Sequence, residues 1–321
     1  MRKHQGIIDF FFFTIIKNMI PKKLRGILEH QHYKIVGNHS AVKVCHWTKK
    51  SILDEGFCYK QKFYGIESHR CLQMTPAVAW CTHRCVFCWR NIEHTIGTEM
   101  QQYDEPGDII DNAIDAQRIL LSGFGGIPER VNHKKFKEAQ NPNQAAISLS
   151  GEPTIYPKIG GLIEEFNKRK FTTFLVTNGT LPGRLKNLGE LPTQLYLSLD
   201  APNEKTYERI DNPIIPNGWD RIMETVALFP SLETRKAIRL TMVRNWNLGS
   251  AKEYALLIDR SQPDWVEVKA YMFVGASRQR MNLDDMPSFD EITGFSKELE
   301  RESGYEIKDF KQDSRVVLLG K

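Results

Sequence analysis

Six cysteines occur in this chain, all between Cys45 and Cys88. Three form the run Cys81-Thr-His-Arg-Cys85-Val-Phe-Cys88, three thiols within eight residues. Stabilising disulfides are normally spread over a fold, whereas a packed group suits ligation of a soft metal or cofactor under reducing conditions. Zinc prefers four closed ligands, commonly as two separated pairs. Three close cysteines without a fourth suit an iron–sulfur cubane with one iron left open. The alternative is a zinc knuckle completed by His83 or a distant residue. Cys45, Cys58 and Cys71 stand thirteen residues apart, which no helix or strand period explains. They too suit a cubane, held by loops; the alternatives are one disulfide with a spare thiol, or buried core cysteines.

Such thiols need a scaffold that gathers loops at one end. From about residue 145 onward, short apolar runs rich in β-branched and aromatic residues alternate with helical patterns. The strand candidates are 145–150, 172–177, 194–199, 238–243 and 266–273, each bounded by turn formers. Ile159, Leu162, Ile163 and Phe166 share a helical face after Pro157, a favoured first helical residue, and Ile109, Ala113, Ala116 and Leu120 form a similar stripe after Pro106. A strand over 72–78, just before the second cysteine group, completes six βα units. Alternating strands and helices form a parallel sheet with its ligands at the carboxyl ends of the strands. Six units are fewer than the eight of a closed barrel. The expected fold is therefore α/β, an incomplete, open TIM-type (β/α)6 barrel that can take a large substrate. An extension over 1–70 brings the first cysteine group and packs on the barrel, which occupies 71–321.

The Cys81–Cys88 loop, with Phe87 directly before its last cysteine, resembles the hallmark loop of the radical S-adenosylmethionine (SAM) superfamily. The resemblance implies a [4Fe-4S] cluster on Cys81, Cys85 and Cys88 whose open iron binds SAM, with Phe87 near the adenine. It also implies one-electron cleavage of SAM to methionine and a 5′-deoxyadenosyl radical. The segment Ser148-Leu-Ser-Gly151-Glu152-Pro153-Thr154 is similar to the superfamily's Gly-Gly-Glu segment, with Ser150 where the first glycine is usual, and it places Glu152 at the SAM amino group. Thr177-Asn178-Gly179-Thr180 and Ser198-Leu-Asp200 end the next two strands. They put Asn178, Ser198 and Asp200 where the superfamily holds the ribose and methionine moieties. A polar residue ending one strand is most often a helix cap, but three in register form a resemblance that spans about 70–275.

The spacing Cys-x12-Cys-x12-Cys, then Cys-x3-Cys-x2-Cys, with Cys58-Tyr-Lys60 and the Trp80-Cys81 and Cys88-Trp89 junctions, resembles the tRNA 4-demethylwyosine synthase family. That resemblance implies as substrates the N1-methylguanosine beside the anticodon of phenylalanine tRNA, and pyruvate as donor of two carbons. It implies a second [4Fe-4S] cluster on Cys45, Cys58 and Cys71. The radical would take a hydrogen from the N1-methyl group, the resulting methylene radical would add to the keto carbon of pyruvate, the carboxyl carbon would leave, and the guanine amine would close the ring. Pyruvate must be held and polarised. An open iron of the second cluster can do this as a Lewis acid, or Lys60 as a Schiff base, since a desolvated lysine is neutral enough to attack a carbonyl. A surface position is the commonest fate of a lysine, and Lys62 is the alternative amine. Competing readings are a radical SAM methylthiotransferase, and a non-catalytic iron–sulfur protein that binds RNA or carries electrons. The latter leaves Glu152, Asn178 and Ser198 without a purpose.

The 321 residues, 41% hydrophobic and 26% charged, are ordinary globular material for one large or two ordinary domains. A net charge of +5 is compatible with an RNA partner without indicating one. Basic candidates for tRNA contact are Arg278 with Arg280 at the barrel mouth, ahead of His133-Lys134-Lys135 with Lys137 and Lys168-Arg169-Lys170, whose usual meaning is a solvated face. The run 7–20, with Phe10 to Phe13, is broken by Asp9 and Lys17 and is too short to span a bilayer, so an amphipathic helix packed on the body is expected. A cytoplasmic protein with no membrane partner is then expected, with a monomer as the default. Some family members carry a fused flavodoxin-like domain; without one, a separate flavodoxin- or ferredoxin-type electron donor is implied.

Overall fold

The β-rich runs become strands, and in the computed structural model, which describes residues 20–321, they join one ten-stranded sheet. In chain order these are β1 (Lys34–Val36), β2 (Ser40–Val42), β3 (Cys71–Thr75), β4 (Gln144–Ile147), β5 (Thr172–Thr177), β6 (Gln194–Ser198), β7 (Arg235–Met242), β8 (Trp265–Ala270), β9 (Glu306–Lys311) and β10 (Val316–Gly320). Strands β3 to β8 pair in parallel with their sequence neighbours. These are the six strands of the expected open barrel. The β1–β2 hairpin extends the sheet antiparallel at β3, and the β9–β10 hairpin antiparallel at β8.

Alternation assigns the two faces of the parallel strands. Leu72, Met74, Ile147, Leu175, Leu195, Leu197, Ile238, Leu240, Val266 and Val268 join the main core with Ile109, Leu162, Ile163, Phe166, Tyr254 and Ile258 from the covering helices. Residues of the opposite parity, such as Gln73, Ala146, Phe174, Val176, Ser198, Arg239, Thr241 and Lys269, face a cavity on the other side. The helix Pro106–Leu121 opens at Pro106 as its stripe required, with Leu120 on the half-buried flank. The helix after Pro157 starts two residues later, at Ile159.

Three strand expectations shift. The segment 72–78 ends as a strand at Thr75, 145–150 at Ile147, and 266–273 at Ala270. In each the chain continues past the last ladder pair into a loop with residues at a cavity wall, Val78, Ser148 and Tyr271 among them. The four edge strands lay outside the expected six, because β1 and β2 are three residues each and show no usable period. Nearly all of the N-terminal run 7–20 lies outside the described residues; Ile20 is described and is buried. No helix among the described residues is long and apolar enough to cross a membrane.

Candidate active site

The cysteine loop leaves β3 at the carboxyl end of the parallel strands and is fixed mainly through its backbone. Cys81 N donates to Gly97 O at 3.2 Å, Arg84 N to Asp211 O at 3.1 Å, and Val86 N to Ile210 O at 2.9 Å. Arg280 clasps the loop from outside. Its guanidinium donates to Val86 O at 3.2 Å and to Cys88 O and Arg90 O, and pairs with Glu93 at 2.9 Å. Gly151, at φ +67°, presses the Ser-Gly-Glu turn against the loop's base. A Cβ there would lie 1.9 Å from Ala77 O and 2.3 Å from Trp80 O.

All six cysteines are free thiols, so the disulfide alternative has no counterpart. Desolvation, with Glu152 and Cys88 nearby, pushes Cys81 up to about 12. Burial, Asp211, Cys88 and Cys81 push Cys85 well above the thiol range. Three thiols that face one cavity, with Cys81 and Cys85 held protonated by burial, fit a cationic metal centre, whose binding displaces protons from its ligands. His83, the alternative zinc ligand, lies with Cys85 and Asp211 in a group whose ligand atoms are within 4.8 Å of one another. Burial lowers His83 to about 3, and its Nε2 is hydrogen-bonded to Tyr207 OH at 2.8 Å. Cys81 and Cys88 do not belong to that group.

Cys81, Cys85, Phe87, Cys88, Glu152, Asn178, Ser198 and Asp200 line one cavity. Glu152 is buried and bridges strand ends: its carboxylate accepts from Thr154 N at 3.0 Å, Thr154 Oγ1 at 2.6 Å, Thr177 Oγ1 at 2.7 Å and Asn178 N at 2.8 Å. Burial still raises it above the usual carboxylate range. Asn178 donates to Thr82 Oγ1 at 2.8 Å, tying β5 to the cysteine loop. Asp200 accepts from Thr241 N at 2.7 Å; burial pushes it up to about 6, and burial with the Asp200 charge raises Asp211 further.

The first cysteine group converges as well. Cys45 precedes the helix His46–Ile52, Cys58 precedes the helix Tyr59–Tyr64, and Cys71 opens β3. All three line a second cavity. Burial and mutual repulsion push Cys58 to about 12 and Cys71 to about 11, so this donor set fits a metal centre by the same reasoning. Lys60 lines this cavity too. Its Nζ lies 4.3 Å from the Tyr196 ring centre and 4.5 Å from that of Phe174, with no hydrogen bond among the described residues. Desolvation, then the nearby Arg239, lowers the amine to about 8. Lys62 points elsewhere, to Asp309 at 2.6 Å and Phe310 O at 2.7 Å.

The two cavities meet. Phe87, Cys88, Arg90, Ser148, Val176, Ser198, Arg239 and Thr241 line both. Arg90, Arg239, Glu267 and Lys269 were not foreseen as site residues. For Arg239, Glu267 and Lys269 the signal was charge at alternate positions of β7 and β8, on the parity that faces the cavity; Arg90, in the loop after Cys88, carried no such signal. Of the basic candidates, Arg278 is exposed, whereas Arg280 is taken up by the loop carbonyls. The other two clusters are largely paired, Lys134 with Glu138, Lys135 with Asp54, Lys168 with Glu164 and Arg169 with Asp111 and Glu165.

Residues 76–258 match the model of the radical SAM superfamily, and residues 260–321 that of wyosine base formation. The chain is 53% identical over 305 residues to the S-adenosyl-L-methionine-dependent tRNA 4-demethylwyosine synthase of Pyrococcus horikoshii, covering 94% of this chain and 89% of the relative. It is 42% identical to the Methanocaldococcus jannaschii enzyme of that name, covering 94% and 96%. A solved structure of TYW1 with a lysine–pyruvate adduct bound superposes with a TM-score of 0.86 at 40% identity, covering 94% of this chain and 96% of that one. The superfamily implies SAM and a [4Fe-4S] cluster, and neither the methylthiotransferase nor the non-catalytic alternative is supported. The chain belongs to the tRNA 4-demethylwyosine synthase family of radical SAM enzymes.

Proposed function

We propose that this chain condenses N1-methylguanosine of phenylalanine tRNA with pyruvate to give 4-demethylwyosine. In this reading 71–321 is the catalytic barrel, 1–70 is the extension that brings Cys45 and Cys58 to the Cys71 that opens β3, and the chain acts as a cytoplasmic monomer reduced by a flavodoxin- or ferredoxin-type protein. The observation that carries it is the common wall: one cavity holds the Cys81–Cys88 loop, and the other holds Cys45, Cys58, Cys71 and Lys60. The lysine–pyruvate adduct in a 40% identical neighbour supports the same arrangement.

When bound, SAM with a cluster on Cys81, Cys85 and Cys88 supplies a 5′-deoxyadenosyl radical, and a second cluster on Cys45, Cys58 and Cys71 supplies Lewis-acidic iron beside the keto acid. Glu152 would meet the amino group of SAM, Asn178, Ser198 and Asp200 would hold its ribose and methionine moieties, and Phe87 would pack near the adenine. Lys60, lowered to about 8, adds its neutral amine to the keto carbon of pyruvate; water leaves and an imine remains. Tyr196 and Phe174 keep water from that amine. The methylguanine must leave its stack to reach the common wall, and Arg278 meets the RNA phosphates at the mouth. Arg280, assigned to the same contact from sequence, acts here by holding the loop.

The test uses anaerobically reconstituted protein with SAM, dithionite, pyruvate and N1-methylguanosine-containing phenylalanine tRNA, followed by nucleoside mass spectrometry. A new nucleoside carrying two pyruvate carbons, formed with 5′-deoxyadenosine, is expected. Deoxyadenosine formed over unchanged tRNA would contradict the substrate assignment.

A further inference from the structure

Four cationic side chains line the second cavity: Lys60, Arg90, Arg239 and Lys269. Two are spoken for. Arg239 donates to Glu267 Oε2 at 3.1 Å and to Tyr59 OH at 3.1 Å. Lys60 is consumed by the imine in the reading above. Arg90 lies over Trp89 at 4.8 Å and donates to Ser148 O at 2.7 Å, its buried Nε has no partner among the described residues, and it stands on the wall shared with the first cavity. Lys269 lines the second cavity only, and its Nζ has a single hydrogen-bond partner among the described residues, Ser314 O at 2.8 Å. An ammonium has three donors, so two remain.

Among the described residues, the carboxylates whose charge reaches Lys269 are Glu267 and Asp313, and Asp313 is paired with Lys311. Glu267, two residues earlier on the same face of β8, is saturated by Tyr59, Tyr64, Tyr196 and Arg239. A cation inside a cavity is stabilised only by a paired anion or good donors and acceptors around it. The amine is also held in place. Tyr59 flanks it with its ring centre 5.3 Å from Nζ, and Ser314, just before β10, anchors it from the neighbouring strand, where Val316 stands opposite Lys269. Both Lys269 and Ser314 lie in the segment matched by the wyosine-formation model, outside the part matched by the superfamily.

We infer that Lys269 binds the carboxylate of the keto acid and so orients its carbonyl carbon toward Lys60. The inference rests on the proposed use of pyruvate. It gives the C-terminal segment a chemical task, selection of an α-keto acid over a neutral ketone. Lys60 alone cannot make that choice, because an amine condenses with either.

Equilibrium dialysis of labelled pyruvate and of methyl pyruvate against the anaerobically reconstituted protein tests this, with Lys269→Met, Lys269→Arg and Lys60→Ala alongside. The expected result is a pyruvate dissociation constant raised about tenfold or more in Lys269→Met and largely restored in Lys269→Arg, with methyl pyruvate bound equally by the wild type and both Lys269 variants and both ligands weakened in Lys60→Ala. Wild-type affinity for pyruvate in Lys269→Met would overturn the inference and leave the carboxylate to the cluster iron. Equal loss of pyruvate and its ester would also overturn it, since that marks damage to the cavity. The imine reading fails separately: if borohydride traps nothing on the wild type while Lys269→Met still loses pyruvate selectively, Lys269 stands and the Lys60 Schiff base falls.

Discussion

Arg239 stands directly opposite Glu267 across β7 and β8 and donates to it through Nε at 3.1 Å. Glu267 is fully buried, and three tyrosine hydroxyls complete its shell. The charge of Arg239 lowers the Lys60 amine and that of Glu267 raises it, so the pair helps set the reactivity of Lys60. Glu267→Gln leaves the guanidinium without its counter-charge. A loss of about 3 to 5 kcal/mol in urea denaturation of the apoprotein is expected; a change below about 1 kcal/mol would mean that the tyrosines alone hold the network.

Arg280 supports the cysteine loop through three carbonyls, of Val86, Cys88 and Arg90. Removing such outer support typically weakens metal retention by roughly tenfold or more. In Arg280→Met, iron should be lost to a chelator at least about tenfold faster than in the wild type, while the fold persists by circular dichroism. Unchanged iron loss would make the clasp incidental.

Gly151 is the close approach on which the turn carrying Glu152 depends. Gly151→Ala places a methyl 1.9 Å from Ala77 O at a φ of +67°, and should cost about 3 kcal/mol or more with failure to assemble the cluster. Gly183→Ala is the control, since a Cβ there meets nothing within 4 Å in the helix Pro182–Lys186. Thermal denaturation of the two variants should separate them clearly.

Glu291 provides a pH signature away from the site. Arg244 and the Ser288 capping box hold its carboxyl down to about 2, against an ordinary 4.5. A depressed carboxyl contributes stability above its unfolded value, and the contribution fades as pH falls from about 5 toward 2. The pair is about a third exposed, so after solvent screening Glu291→Gln should cost about 1 kcal/mol at pH 7. Urea midpoints of wild type and variant should draw together as pH falls below about 4 and meet only near pH 2; a constant gap would point to packing instead of charge.

The six parallel strands and the cysteine loop were legible because period-2 runs and short Cys spacings are local. The strand 172–177 appears with those bounds, and Glu152, Asn178, Ser198 and Asp200 fall on one cavity because they end adjacent parallel strands. Convergence of Cys45, Cys58 and Cys71 could be suspected from sequence, but the walls around them could not. Arg239 and Lys269 belong to strands read as apolar, and their meeting with Lys60 depends on barrel curvature. Arg280 looked like a mouth arginine because nothing local shows that the loop carbonyls of residues 86 to 90 fold back onto it.

Borohydride trapping of pyruvate on the reconstituted protein, with peptide mapping by mass spectrometry, tests the central claim most directly. The account predicts one reduced adduct on Lys60, absent from Lys60→Ala and unaffected by Lys62→Ala. An adduct on Lys62 or Lys269 in its place, or none on protein that holds its iron, would contradict it.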